Sequence, residues 1–210
     1  MLGKQSVDWR AERRAKARSD IVAAAWELAR EHGLGGLSLR DLARRLGMAA
    51  SSLYSYFDSK HALYDAMYAD GWSALLALEP PEPSPDLRAT LRVGTHWWMT
   101  FSVADPVRFQ LLNQRTIPGF EPSPESYALA QAAYQRGFAP IEAFGELTQG
   151  DRDLWTAIVG GLISQQLSND PGGTRWLDLI DDAVDLFVQR VESKTRRGSS
   201  GVRLRSKEAT

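Results

Sequence analysis

The sequence contains no cysteine, only three histidines and no long uncharged apolar run. The absence of cysteine excludes disulfide bonds, thiol catalysis and cysteine-based metal sites. The histidines, His32, His61 and His96, lie far apart and lack the spacing of metal ligands. An apolar run of about 18 residues, which a membrane-spanning helix would need, is missing, and so is the apolar core of a signal peptide. We therefore expect a cytoplasmic protein with no metal and no cofactor.

Motifs of common enzyme sites are equally scarce. The sequence has no phosphate-binding glycine loop, no nucleophile elbow and no pair of carboxylates placed for acid–base chemistry. One enzymatic alternative stays open, a helical enzyme in which His96 acts as an acid or base within an aromatic pocket. The main prediction is a protein that is not an enzyme.

The net charge of −1 conceals an uneven distribution. Residues 1–60 carry a net charge of +4, residues 61–190 carry −9, and residues 191–210 carry +4. A basic N-terminal block beside an acidic middle is what a DNA-binding domain joined to a body that does not bind DNA would show.

The clearest local pattern lies at residues 38–60 and predicts two short helices joined by a glycine turn. The first helix carries one apolar stripe at spacings of three and four: Leu39, Leu42, Ala43 and Leu46. Ser38 precedes this stripe, where a hydroxyl can accept a hydrogen bond from a free amide of the first turn. Gly47 follows it, where a left-handed residue commonly ends a helix.

The second helix of this pair presents an unusual outer face. Leu53 and Phe57 are four residues apart and can pack back on the first helix, which leaves these residues facing outward: Ala50, Ser51, Ser52, Tyr54, Ser55 and Tyr56. Small side chains, hydroxyls and phenols without charge suit insertion into a DNA major groove, where they approach base edges and phosphates. A buried helical hairpin without a ligand is the alternative interpretation of the same pattern.

A third helix is predicted from Ser59 as N-cap to about Leu78, with an apolar stripe at Leu63, Met67, Ala74 and Leu78. Lys60 lies in its first turn, where a cation is disfavoured by the helix dipole. A bound phosphate would reverse that disadvantage, because the free amides and Lys60 would both face an anion. Lys60 is therefore a candidate DNA contact.

The pattern resembles the N-terminal DNA-binding domain of TetR-type transcriptional regulators. The resemblance rests on four elements in order and spacing: Leu39-Arg40-Asp41-Leu42-Ala43, Gly47, Leu53-Tyr54-x-Tyr56-Phe57 and Ser59-Lys60. It covers roughly residues 18–68, and Ala49 departs from it because the family often has a capping Ser or Thr there. The resemblance implies a homodimeric regulator, by family habit a repressor, that binds double-stranded operator DNA and a small-molecule effector. The expected DNA-binding residues are Arg18, Ser38, Arg40, Ala50, Ser51, Ser52, Tyr54, Ser55, Tyr56 and Lys60.

The segment before this domain is basic, and it allows two interpretations. Residues 1–8 suit a solvated, frayed helix start. The arginines and the lysine at residues 13–18 could be equally solvated, or they could form an arm that contacts phosphates beside the groove.

Residues 80–85 contain four prolines, which interrupt the helical pattern and favour an extended segment. Beyond them the chain is rich in aromatic residues, and polar neighbours could orient a ligand among them. We expect ligand contacts from His96, Trp97, Trp98, Phe101, Phe109, Leu112, Phe120, Tyr127, Tyr134, Phe138 and Trp155. For any single one of these residues, a place in the core is the simpler interpretation, and a DNA-binding protein without ligand control is the alternative function.

The C-terminal helix carries a heptad seam at Leu177, Ile180, Val184, Phe187 and Val191, which we expect to form the dimer interface. A second apolar flank consists of Leu179, Ala183 and Leu186. A helix that is apolar on two sides needs one neighbour within its own chain and another elsewhere.

These inferences predict an all-α protein of about nine helices without a membrane partner. The predicted parts are a basic arm at 1–17, a helix-turn-helix domain at 18–58, a connecting helix at 59–79, a ligand-binding and dimerisation domain at 80–193 and a disordered basic tail at 194–210. The function predicted is control of transcription, with release from the operator by a small, largely apolar or aromatic ligand.

Overall fold

The computed structural model describes the backbone of residues 2–145 and 147–205, and the side chains of residues 9–145 and 147–194. Within these residues every regular element is helical, which confirms the all-α prediction. The helices are α1 (Leu2–Gly36), α2 (Leu39–Arg45), α3 (Ala50–Tyr54), α4 (Lys60–Ala77), α5 (Leu87–Val103), α6 (Pro106–Asn113), α7 (Pro124–Glu142), α8 (Gln149–Asn169) and α9 (Ile180–Arg205), with a 3₁₀ turn at Leu177–Leu179 before α9. No helix in this described part combines the length and apolarity that crossing a bilayer requires.

The helix starts follow from local capping chemistry. The side chains of Ser38, Ser59, Asp86 and Asp105 each accept a hydrogen bond from a backbone amide in the first turn of α2, α4, α5 and α6. Thr148 and Asp151 form a reciprocal capping box at the start of α8.

The chain divides into two compact units. The first unit comprises the chain up to Leu78 together with Asp105–Ala133, and in it α1 packs against α2, α4 and α6. Its core contains one face of α1 together with apolar side chains of the helix-turn-helix and of α4: Ile21, Ala25, Leu28, Ala29, Leu42, Leu53, Phe57, Leu63 and Met67. Ala74 and Leu78 are exposed instead, because α4 buries Gly71, Trp72 and Leu75 in its second half.

The second unit comprises Glu79–Ala104 and the chain from Tyr134 onward. Here α5 packs against α8 and α9, and ion pairs join Arg88 to Asp185 and Arg92 to Asp181 along the α5–α9 contact. Gln166 holds the loop between α8 and α9, since its Oε1 accepts from the amide of Trp176 at 2.9 Å and its Nε2 donates to the carbonyl of Gly173 at 3.0 Å.

Two features differ from the predicted division of the chain. We predicted residues 105–133 to belong to the ligand-binding and dimerisation domain. They lie instead in the same compact unit as the helix-turn-helix, because α6 packs on α1 and α4. The predicted disordered tail at 194–210 begins inside a helix, since α9 continues to Arg205 without a proline to end it. Residues 206–210 lie outside the described residues.

Candidate DNA-binding site

The helix-turn-helix forms as its local sequence predicts. Ser38 Oγ accepts from the amide of Asp41 at 3.4 Å, and Gly47 has a φ of 64°, a left-handed conformation that costs least without a Cβ. Leu53 of α3 and Phe57, just after its end, are 0% and 1% exposed, so α3 and the segment that follows it pack back on the domain through these two side chains. Burial of this face orients the opposite face toward solvent.

The outer face of α3 is small, polar and uncharged. Ala50, Ser51, Ser52 and Ser55 are exposed, Tyr54 is 53% exposed, and Tyr56 is half-buried. Ala49 provides no side-chain cap to α3, as predicted from its departure from the family pattern. The exposed hydroxyls of Ser51, Ser52 and Tyr54 can donate to or accept from DNA, with no carboxylate among them to repel phosphates.

Arg14 and Arg18 of α1 hold the chain that follows α3. Arg14 Nη2 donates to the carbonyl of Ser55 at 2.7 Å, and Arg18 Nη1 donates to the carbonyl of Tyr56 at 2.9 Å. Arg18 was predicted as a DNA contact from the sequence, whereas Arg14 was named only within the basic arm. The spacing of four residues, which places both side chains on one face of α1, is the signal that links them.

Lys60 joins the start of α4 to the end of α1. Its Nζ donates to the carbonyl of Gly35 at 3.0 Å and lies 5.4 Å from the ring centroid of Tyr64. Partial burial lowers the pKa of Lys60 from its ordinary value, because a desolvated ammonium is less stable. One bond to a carbonyl uses one of its three N–H donors, so the ammonium can still bind a phosphate.

Tyr64 of α4 makes a second contact with the end of α1. Burial raises the pKa of Tyr64 to about 12, and its hydroxyl donates to the carbonyl of Leu34 at 2.5 Å. Gly33 between the two parts of α1 has a φ of 73°, which turns the chain toward these partners. The end of α1 is therefore fixed against α4, where Lys60 lies.

The other predicted DNA contacts differ in what their side chains already do. The Ser38 hydroxyl is half-buried and engaged in the helix cap, whereas Arg40 is exposed on α2. Two further arginines on α2, Arg44 and Arg45, are ion-paired with Asp41 and Glu31, each at 2.5 Å. These pairs offset part of the positive charge of α2.

The predicted ligand-binding residues fall into both compact units. In the first unit Phe109 and Leu112 are buried, Tyr127 is 51% exposed, and Phe120 packs against the rings of His61, Tyr64 and Tyr68 with centroids 5.7–6.4 Å apart. The exposure of Tyr127 contradicts a place for its side chain inside an enclosed pocket.

In the second unit, Trp98 stacks on Phe101 with ring centroids 6.0 Å apart, and Tyr134 lies 4.7 Å from Phe138. Trp97 is half-buried beside Trp98 on α5. His96 is exposed, so the structure does not place its imidazole in an aromatic pocket.

Trp155 and the middle of the predicted dimer seam belong to the core of a single chain. The rings of Trp155 and Phe187 lie 4.7 Å apart, and Ile180, Val184 and Phe187 are each 1% exposed. These three side chains were predicted to contact a second chain, but they leave little surface for it, because α5 and α8 pack against α9 within one chain. Leu177 and Val191, at the two ends of the seam, are half-buried.

Comparisons with known proteins show the family to which the chain belongs. A family model described as "Bacterial regulatory proteins, tetR family" matches residues 21–67, which include the whole helix-turn-helix. The class C tetracycline repressor protein of Escherichia coli is 42% identical over 178 residues, which cover 84% of this chain and 78% of the relative. The chain therefore contains a helix-turn-helix DNA-binding domain of this kind and belongs to the TetR family of transcriptional regulators.

Two more distant proteins resemble the chain, one in sequence and one in fold. An HTH-type transcriptional regulator of Mycobacterium tuberculosis is 33% identical over 131 residues. The alignment covers 57% of this chain, and the chain spans only 54% of the length of that relative. The crystal structure of a TetR variant from Acinetobacter baumannii AYE in complex with minocycline has 24% identity and a TM-score of 0.55, with 82% of this chain and 94% of that one covered. This second likeness supports the fold alone.

Proposed function

We propose that the protein is a homodimeric repressor that binds operator DNA through α3 and is released by a small, largely apolar or aromatic ligand. The observation that carries the proposal is the exposed, uncharged face of α3, with Arg18 of α1 hydrogen-bonded to the chain just after it and Lys60 at the start of α4. A surface that serves only solubility would carry charged side chains here, whereas a major groove accepts small polar ones.

The proposed contacts divide into two classes. Lys60 and Tyr54 bind phosphates, and Ser51, Ser52 and Tyr56 approach base edges. Replacement of Lys60 by Ala should weaken binding to all sequences alike and reduce the slope of log K against log salt by about one. Replacement of Ser52 should instead change which sequences are bound, at an unchanged salt slope. If Lys60→Ala left the salt slope unchanged, its phosphate role would be refuted.

Dimerisation is proposed through the exposed flank of α9 rather than the buried seam. Leu179 and Leu186 are 39% and 68% exposed and lie on one helical face with half-buried Ala183. On α8, a Cβ added at Gly160 or Gly161 would meet no atom within 4 Å, so a second helix could approach closely. The two DNA-binding domains of such a dimer must reach successive major grooves, about 34–36 Å apart.

A ligand can act on the DNA-binding domain through α4 and α6. Both helices lie in the first unit, and a Cβ added at Gly71 of α4 would come within 3.1 Å of the Leu112 side chain of α6. Asp105, the N-cap of α6, accepts from Arg30 of α1 at 2.7 Å and 3.0 Å. Displacement of α6 by a ligand near Phe109 or Leu112 would therefore shift α4 and, with it, Lys60.

The second unit provides further groups for ligand recognition. The hydroxyls of Ser102 and Tyr134 are buried, and neither has a hydrogen-bond partner among the described residues. A buried hydroxyl without a partner costs free energy, which a polar atom on an aromatic ligand could recover.

The test begins with an operator selected from random duplex DNA and a library of small apolar and aromatic compounds. A compound that releases the operator should bind the protein more weakly in the presence of that DNA, by the factor by which it weakens DNA binding. Tryptophan fluorescence measures the compound's affinity with and without operator. Equal affinities in the two conditions would contradict ligand control, and release by no compound would favour a regulator without an effector.

A further inference from the structure

The recognition helix α3 is too short to hold its own orientation. It has five residues and no side-chain cap at its N-terminus. Isolated helices of this length are unstable in water, because the few hydrogen bonds gained do not offset the conformational entropy lost. The direction in which α3 presents Ser51, Ser52 and Tyr54 must therefore be fixed by contacts with the rest of the domain.

Two guanidinium groups from α1 meet the chain where α3 ends. Arg14 donates to the carbonyl of Ser55 at 2.7 Å, and Arg18 donates to the carbonyl of Tyr56 at 2.9 Å. The last carbonyls of a helix lack partners within it and carry partial negative charge, so cations are favoured at this end.

The same guanidinium groups also lie over aromatic rings of this segment. The Cζ of Arg18 is 4.2 Å from the ring centroid of Phe57, and the Cζ of Arg14 is 5.1 Å from that of Tyr56. Phe57 is 1% exposed and is itself fixed in the core. A planar guanidinium can stack on a ring and donate to a carbonyl at once, which the single ammonium of lysine does poorly.

We propose that Arg14 and Arg18 are positioning residues, which clamp the C-terminal end of α3 to α1 and so fix the angle at which the recognition helix enters the groove. The proposal rests on the proposed DNA binding and gives these arginines a role in sequence discrimination. Phosphate contact by either arginine would add affinity without discrimination.

Charge-preserving substitutions distinguish these roles. Arg18→Lys and Arg14→Lys keep the positive charge but lose the combined stacking and hydrogen bonding. We expect each variant to bind the selected operator more weakly, on the order of tenfold, with unchanged affinity for shuffled DNA and an unchanged salt slope. Arg10→Gln, one helical turn before Arg14, is the matched control for charge loss from α1 and should change binding to both DNAs alike.

The two roles predict different results when the affinities of the wild type and the variants for both DNAs are measured at several salt concentrations. If both lysine variants bind both DNAs like the wild type, and Arg18→Gln lowers the salt slope by about one, the arginines are phosphate contacts and the proposal is overturned. Loss of the folded helical signal in both lysine variants would also overturn it, because the arginines would then maintain the fold. Failure of the wild type to prefer any DNA sequence would instead refute the proposed function.

Discussion

Asp65 of α4 accepts two hydrogen bonds from Ser123, one from its backbone N–H at 2.7 Å and one from its hydroxyl at 3.0 Å. The hydroxyl of Ser126 adds a third bond to the same carboxylate at 2.9 Å. Ser123 directly precedes α7, so these bonds attach the start of α7 to the middle of α4. The helix that begins at the candidate DNA-binding site is thereby anchored within its own compact unit.

Asp65→Asn should destabilise the protein by about 1–3 kcal/mol, because the new amide group cannot accept from all three donors. Asp86→Asn is the matched control, since Asp86 acts as the N-cap of α5 and asparagine caps helices equally well. Urea denaturation followed by circular dichroism measures both free energies of unfolding. Equal effects of the two substitutions would show that the Ser123 bonds contribute little.

Two glycines should respond to alanine in opposite directions. Gly47 has a φ of 64° in the turn before α3, so Gly47→Ala should destabilise the protein by about 1 kcal/mol. Gly94 lies inside α5, where an added Cβ meets no atom within 4 Å, and Gly94→Ala should stabilise by up to about 1 kcal/mol. Thermal melting of the two variants beside the wild type tests the difference. A stabilising Gly47→Ala would refute the left-handed turn.

Adjacent positions on α9 separate association from folding. Leu186 is 68% exposed and Phe187 is 1% exposed. Leu186→Asp should leave the fold intact and convert the proposed dimer to a monomer, because a charge would enter an apolar interface. Phe187→Asp should instead unfold the chain, because the charge would lie in the core beside Trp155.

Light scattering at micromolar concentration reports the mass of the wild type and of Leu186→Asp, while circular dichroism reports the helical content of both variants. A monomeric wild type would refute dimerisation. A folded Phe187→Asp that is merely monomeric would restore the seam as the interface.

Asp151 gives the second unit a dependence on pH. The carboxylate is 3% exposed, and hydrogen bonds from Lys194 at 2.5 Å and from Thr148 hold the pKa of Asp151 below its ordinary value of 3.8. A carboxyl whose pKa is lowered by folding stabilises the native state above its unfolded pKa, and that contribution is lost as the pH falls through the folded pKa.

Asp151→Asn should therefore cost about 1–2 kcal/mol at pH 7, because the neutral amide loses the charge-assisted bonds from Lys194 and Thr148, while the half-exposed Lys194 can still be solvated. The difference from the wild type should shrink as the pH falls below about 4. Urea titrations across this range test the expectation, with exposed Asp153→Asn as the control that changes little. A difference that is the same at pH 7 and at pH 3 would contradict it.

The parts of the fold that could be predicted are those in which neighbours along the chain decide the structure. Ser38, Ser59 and Gly47 begin or end helices through their own backbone and side-chain chemistry, and all three do so where the sequence indicated. The outward face of α3 followed from the burial of Leu53 and Phe57, which are four residues apart.

The parts that could not be predicted depend on distant partners. Arg14 and Arg18 bond to residues 41 and 38 positions away, and no local pattern specifies such pairs. The α9 seam was visible, but an apolar seam has the same pattern whether it packs on α5 and α8 or on a second chain. The second half of α4 turned a different face inward, because Gly71 allows α6 to approach.

The central claim is that this chain reads DNA sequence through α3. The most direct measurement is the affinity of the wild-type protein for an operator selected from random duplexes, compared with a shuffled duplex of the same composition at the same salt concentration. We expect the operator to bind at least about 10³-fold more tightly. Equal affinity for the two duplexes, or no enrichment of any sequence during selection, would contradict the claim.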